Sequence, residues 1–227
     1  MIQIVDILEA TTDLQEQQMR FGKVKMLRLF SVLAFAVLIS WPNAGTAQDA
    51  KGDLADRLKA GGLVIYFRHG VTRPDEDSIS RIDGCEGERN LTDAGREAMQ
   101  AVKEAFDVIG AEISEVLSSP LCRVSESALI AFRKPEINEL LASRGGDDFD
   151  DRRVQEILRL LSTPPKPATI RIVMAHNVNI LMALGIRLVE GEAAILEPQA
   201  DGRGEPTLIA QVRQEEWTEI AGAGDKD

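Results

Sequence analysis

Apolar positions recur along the chain in two different rhythms, and their alternation predicts the architecture. Residues 63–67 (Leu-Val-Ile-Tyr-Phe) form a continuous apolar run after Gly61-Gly62, which reads as a buried strand. Residues 170–175 read as a second buried strand, residues 115–117 as a short one, and residues 193–196 and 207–212 as two more joined by a Gly-rich turn. Between these runs the period lengthens to that of a helix. Thr92 suits an N-cap, and residues 93–109 set Ala94, Ala98, Ala101, Val102, Ala105, Phe106 and Ile109 on one face. Helices are also predicted over 53–60, from Pro120 to about Phe132, over 154–161 and over 177–188. Polar stretches at 71–88 and 143–151 read as loops, residues 164–167 as a stiff Pro-rich connector and residues 221–227 as a disordered tail. The alternation predicts an α/β fold. It would be a single layered domain with a central, mostly parallel sheet flanked by helices on both faces, its terminal strands pairing antiparallel.

The first fifty residues break the pattern. Residues 29–41 form a thirteen-residue, mostly apolar run without a charge, short for a bilayer span. Arg20, Lys23, Lys25 and Arg28 precede it, and Pro42, Asn43 and small residues up to Ala47 follow. Basic, then apolar, then small is the layout of a secretory signal, against the alternatives of a buried helix or an uncleaved anchor. Residues 1–18 are acidic where such a signal should be basic, which points to Met19 or Met26 as the translation start. The expected organisation is therefore an N-terminal extension and cleaved signal over 1–47, a domain over 48–220 and a tail over 221–227. The expected location is outside the cytoplasm, in the periplasm.

Of the 227 residues, 37 are acidic and 26 basic, and the net charge of −11 disfavours nucleic acid as a partner. Aromatic residues make up only 4%, too few for a base-stacking platform. Two histidines and two cysteines stand at no spacing that builds a Cys₄ or Cys₂His₂ zinc site.

Those two histidines occupy equivalent places. His69 follows the first buried strand and His176 follows the second. In open α/β sheets ligands bind beyond the carboxyl ends of the strands, so parallel neighbours would bring both imidazoles to one edge. Arg68 precedes the first histidine, and Arg123 lies near the start of the helix after the strand at 115–117. Taken singly, each residue is more often structural than functional. Two arginines and two histidines converging near helix N-termini would instead bind a tetrahedral dianion.

The segment Phe67-Arg68-His69-Gly70, with Thr72 after it, resembles the Arg-His-Gly signature of the histidine phosphatase superfamily, in its phosphoglycerate-mutase-like branch. Three further stretches match in order: Asn90-Leu91-Thr92-Asp93-Ala94-Gly95, then Ser118-Ser119-Pro120-Leu121-Cys122-Arg123 with Ser127-Ala128, then Ala175-His176-Asn177. Cys85 before Arg89-Asn90-Leu91, residues 176–180 and a later Gly191-Glu192 look like a small exported subgroup of that branch. The long insertions of the mutases are absent, which tilts the reading toward a phosphatase. Ala175 and Val71 replace residues usual in the family, and neither carries catalytic chemistry.

The resemblance implies a metal-independent phosphomonoesterase without a cofactor, acting on a small phosphorylated substrate. His69 would accept the phosphoryl group, with Arg68, Arg123 and His176 holding its oxygens. The leaving oxygen needs a proton from a carboxylic acid. Family position points to Glu139, with Asp75, Glu76 and Asp77 as rivals; Arg73 and Arg89 are exposed candidates for substrate contact. Cys85 and Cys122 are either a disulfide fixing residues 71–88 against the Arg123 helix or two free thiols. The alternative function is an inactive relative that binds a phosphorylated ligand or a partner protein. A metal site on the two histidines is disfavoured, since no carboxylate or cysteine sits at ligand spacing beside either.

Overall fold

A computed structural model describes residues 47–73, 85, 88–143 and 151–224. The expected signal segment up to residue 46, the rival acids Asp75, Glu76 and Asp77, most of the acidic loop at 144–150, and residues 225–227 lie outside the described residues. Six strands form one sheet: β1 (Val64–Arg68), β2 (Ile113–Ser118), β3 (Glu136–Ile137), β4 (Ile170–Ala175), β5 (Ala193–Glu197) and β6 (Thr207–Val212). Their order is β3-β2-β4-β1-β5-β6. The first four in that order run parallel, β5 runs antiparallel to β1, and β6 antiparallel to β5. Among the described residues, six helices accompany the sheet: α1 (Ala47–Ala60), α2 (Asp93–Ile109), α3 (Cys122–Phe132), α4 (Asp151–Ser162), α5 (Asn177–Leu184) and α6 (Trp217–Gly224). The predicted α/β class and mostly parallel sheet are the observed ones.

Side-chain alternation on β1 shows how the layers divide. Leu63, Ile65 and Phe67 enter one core with Met99, Phe106, Val124 and Trp217, whereas Val64 and Tyr66 enter the other with Leu141, Ile157, Leu161 and Ile180. Both faces of the strand are buried, which is why it reads as an unbroken apolar run. Trp217 anchors the first core, its ring centroid 5.5 Å from Phe67 and 4.8 Å from Phe106. Burying an indole between two aromatic rings removes a large apolar area from water and selects a specific ring geometry.

Two expectations are corrected at helix ends. The helix expected to run to Leu188 stops at Leu184, because Gly185 takes a left-handed conformation (φ 69°) and its N–H closes on the Leu181 carbonyl. The expected disorder from Ala221 is wrong for residues 221–224, which continue α6, with Ala221 and Ala223 buried. Their small side chains carry no amphipathic signal. Trp217 and Ile220 nevertheless fasten the helix to the core, and Lys51 of α1 pairs with Glu219 across its face. Among the described residues, no helix is long and apolar enough to cross a membrane.

Candidate active site

β1 and β4 are adjacent and parallel, with Arg68 opposite Ala175, so the chain leaves both strands at the same edge. The next residues, His69 and His176, meet there with ring centroids 5.6 Å apart at 64°. Only 2% of His69 and 4% of His176 is exposed.

The hydrogen bonds define each tautomer. His69 Nδ1 lies 2.9 Å from the Gly70 carbonyl, which can only accept, so Nδ1 carries the proton and Nε2 keeps its lone pair. Arg123 Nη2 lies 3.4 Å from His176 Nδ1, and a guanidinium can only donate. His176 therefore accepts on Nδ1 and donates from Nε2 to Ser119 Oγ at 3.0 Å. Burial lowers the His69 pKa from 6.5 to about 3; the Gly70 bond opposes that shift, and the charges of Arg123, Arg68 and Arg89 add to it. Burial and the same arginines, with His69, hold His176 well below 6.5. Both rings are neutral near pH 7. Tyr66 fixes the second from behind, its buried hydroxyl donating to the His176 carbonyl at 2.6 Å.

The exit from β1 is packed tightly. Thr92 caps α2 by accepting from the Gly95 N–H at 2.9 Å, which turns Gly95 toward the segment after His69. A Cβ on Gly95 would lie 2.3 Å from the Val71 carbonyl oxygen, so only glycine permits this approach. Ser127 then links two motifs: its Oγ accepts from the Gly70 N–H at 3.1 Å and donates to the Arg123 carbonyl at 2.7 Å. In this way α3 delivers Arg123, 7% exposed, to the two histidines.

Arg68 approaches from the other side, its Nη1 donating to the Leu188 carbonyl at 2.9 Å and its Nη2 to Glu190 at 3.2 Å. The Nε atoms of Arg68 and Arg123 are both buried donors that meet no acceptor among the described residues. Buried donors are rarely left unpaired, because desolvation of the N–H is then uncompensated. A ligand made only of acceptors, such as a tetrahedral oxyanion, suits donors of this kind.

Four of the proposed site residues thus come together: Arg68, His69, Arg123 and His176. Glu139 follows β3 at the same edge of the sheet, since β3, β2, β4 and β1 are parallel. It is exposed and opens the short turn Glu139–Leu141 after the edge strand β3, with β2 and β4 between it and β1. Cys85 and Cys122 form a disulfide.

Beside that bridge the structure places a carboxyl that the sequence reading passed over. Glu88 is 1% exposed; its Oε2 accepts the Cys122 N–H at 2.9 Å, while its Oε1 is buried without a partner among the described residues. Burial raises its pKa, against the opposing pull of the Cys122 N–H and Arg123. An open groove of about 620 Å³ runs alongside, lined by Arg73, Asn90, Arg96, Glu126 and both cysteines. Arg89, expected to be exposed, is half-buried, and Ser119 and Glu190 join the site although the sequence predicts no role for them. Ser119 lies within the Ser118–Arg123 motif, but nothing in the local pattern marks Glu88 or Glu190.

By sequence, no family model and no curated protein matches the chain. By structure, it resembles the protein histidine phosphatase SixA, solved in complex with tungstate: TM-score 0.50, 19% identity, covering 67% of this chain and 97% of that one. It also resembles a structure described as an alpha-ribazole-5'-P phosphatase from Escherichia coli K-12, with TM-score 0.51 and 15% identity over 67% of this chain and 97% of that one. The chain has the fold of the histidine phosphatases.

Proposed function

We propose that the protein is a metal-independent phosphomonoesterase that works through a phosphohistidine on His69. The observation that carries this reading is a neutral imidazole, its Nε2 lone pair available, set among arginines whose buried Nε–H groups have no acceptor among the described residues. In the first step Nε2 bonds to phosphorus as the ester P–O bond breaks, and a carboxylic acid protonates the leaving oxygen. The charge gained by the ring is met by the Gly70 carbonyl on Nδ1–H. Arg68, Arg123 and the Nε2–H of His176 stabilise the phosphoryl oxygens. Water then attacks phosphorus, the carboxylate takes its proton, and the P–N bond breaks to release phosphate and neutral His69.

Two carboxyls compete for the acid's role. Family position favours Glu139. Burial favours Glu88, since desolvation shifts its carboxyl toward the protonated form that donates, against the opposing pull of the Cys122 N–H and Arg123. The test is turnover of an aryl phosphate by the purified protein, with and without chelator, beside His69→Ala, Glu139→Gln and Glu88→Gln. Chelator-resistant hydrolysis abolished by His69→Ala is the expected result. Phosphate binding without turnover in the unmodified protein would instead favour the inactive relative. Loss of the acid slows a phenyl ester far more than a dinitrophenyl ester, because only the more basic leaving oxygen needs the proton.

The same reading places the protein in the periplasm after cleavage behind Ala47. The basic, apolar and small segments before residue 48 support it, and so does a disulfide, which persists in oxidising compartments. The N-terminal mass of the exported protein tests it; an intact Met1 would refute it.

A further inference from the structure

The three-residue turn that Glu139 opens is held more firmly than its length requires. Arg153 of α4 donates from Nε to the Leu140 carbonyl at 3.0 Å, and from Nη2 to the carbonyls of Glu139, at 3.4 Å, and Ala142. Asn179 of α5 donates from Nδ2 to the Leu141 carbonyl at 3.3 Å. The last carbonyls of so short a helix lack partners of their own, so a guanidinium fork and an amide from two other helices serve every carbonyl from Glu139 to Ala142. At the start of the turn, Asn138 Oδ1 accepts the Leu140 N–H at 3.0 Å. The same turn is tied to His176 by two routes. The Asn138 N–H donates to the Ser118 carbonyl at 2.8 Å, one residue before the serine that accepts from His176 Nε2. The Asn179 N–H, at the start of α5, donates to the His176 carbonyl at 3.2 Å. Leu141 and Asn179 are fully buried, whereas Glu139 is exposed.

Resting on the phosphatase reading above, with Glu139 as its acid, we propose that Arg153 and Asn179 are the positioning residues of that acid. They fix the Glu139–Leu141 turn to the elements that carry His176, so that the Glu139 carboxyl meets the leaving oxygen. The frame immobilises the backbone under a single exposed carboxyl, at the sheet edge where β4 delivers His176. A surface carboxyl on a loose turn would have to be ordered at every turnover, whereas a clamp formed on folding removes that entropic cost from the reaction. A displacement of about 1 Å in such a group costs as much as about 100-fold in rate. Arg153 and Asn179 act only through the backbone of the turn and need not touch substrate.

The test uses the whole protein and compares kcat/KM for phenyl phosphate and dinitrophenyl phosphate, because kcat/KM reports formation of the phosphoenzyme and only the phenyl ester needs the acid's proton. Arg153→Met, at a half-buried position on α4, is expected to lower kcat/KM for the phenyl ester by about 10- to 100-fold and for the dinitrophenyl ester by less than about threefold. Arg153→Lys should recover part of the phenyl rate, because an ammonium keeps the charge but not the fork. Asn179→Ser, too short to reach the Leu141 carbonyl, should show the same selectivity for the phenyl ester. Inorganic phosphate, followed on the imidazole NMR signals of the only two histidines in the chain, should bind Arg153→Met as tightly as the parent. In a Glu139→Gln background, Arg153→Met should cause no further loss, since both act through one carboxyl.

Equal losses on both esters, with a lower melting temperature, would show a merely structural clamp and overturn the proposal. So would additive losses in the double variant, or an Arg153→Met protein that behaves as the parent. If His69→Ala abolishes hydrolysis while Glu139→Gln leaves the phenyl ester unaffected, the acid lies elsewhere; this inference alone fails and the phosphatase reading stands. If the unmodified protein neither binds phosphate nor hydrolyses an ester, the phosphatase reading fails and takes the inference with it.

Discussion

Replacing both cysteines of the Cys85–Cys122 bridge by serine is expected to cost about 4 kcal/mol of stability. The bridge spans a sequence separation of 37, and closing a loop of that length in the unfolded chain removes about 13 cal/mol/K of entropy. The native side adds little to that figure, because the segment keeps other ties: Asn90 Nδ2 donates to the Cys85 and Glu88 carbonyls at 2.9 and 3.0 Å, and Glu88 still caps Cys122. For a chain of this size the loss corresponds to a melting temperature lower by about 10 °C. Urea unfolding followed by fluorescence is the assay, with Trp217, buried against Phe67 and Phe106, as the natural reporter. The second readout is KM for an aryl phosphate. The bridge joins the stretch leading to Arg89 to the first residue of α3, immediately before Arg123, so KM should rise about tenfold as both arginines loosen. A stability loss below about 1 kcal/mol would refute the entropic reasoning. An unchanged KM would refute the link between bridge and pocket.

Ser119→Ala removes the acceptor from His176 Nε2–H and should lower kcat by about tenfold, with KM nearly unchanged, in steady-state kinetics. Gly95→Ala drives a methyl into the Val71 carbonyl and should cost about 2–3 kcal/mol by denaturant unfolding. Stability should fall as pH drops from about 6.5 toward 3, because His69 is protonated in the unfolded chain across that window but stays neutral when folded. His69 alone contributes a slope of about 1.4 kcal/mol per pH unit, and His176 acts in the same direction. Glu88, whose pKa is raised by folding, acts in the opposite sense from pH 4.5 upward, so the net slope lessens there. Unfolding free energies measured at intervals across that range check the sign; a flat profile would mean that the histidines are not buried and neutral.

Local patterning determined much of this molecule before any contact was known. The unbroken run at 63–67 required a strand buried on both faces, and Val64 and Tyr66 do enter a different core from Ile65 and Phe67. Thr92 and the apolar stripe after it defined α2 from its cap to Ile109. Arg68, His69, Arg123 and His176 were recognisable because each lies next to a strand end or helix start, and such ends are set by nearby residues. What tertiary structure alone decided lies farther apart. Glu190 meets Thr72, Arg68 and Arg89 from 118, 122 and 101 residues away, and Glu88 reaches Cys122 across 34. In one dimension an acidic side chain at 88 or 190 looks like any solvated carboxylate of an acidic protein. It acquires a role only when the sheet places β1, β4 and β2 side by side and residues 88 and 190 are brought to their ends. The small-residue helix α6 was hidden for a related reason, since its burial depends on the surface it packs against rather than on any periodicity of its own.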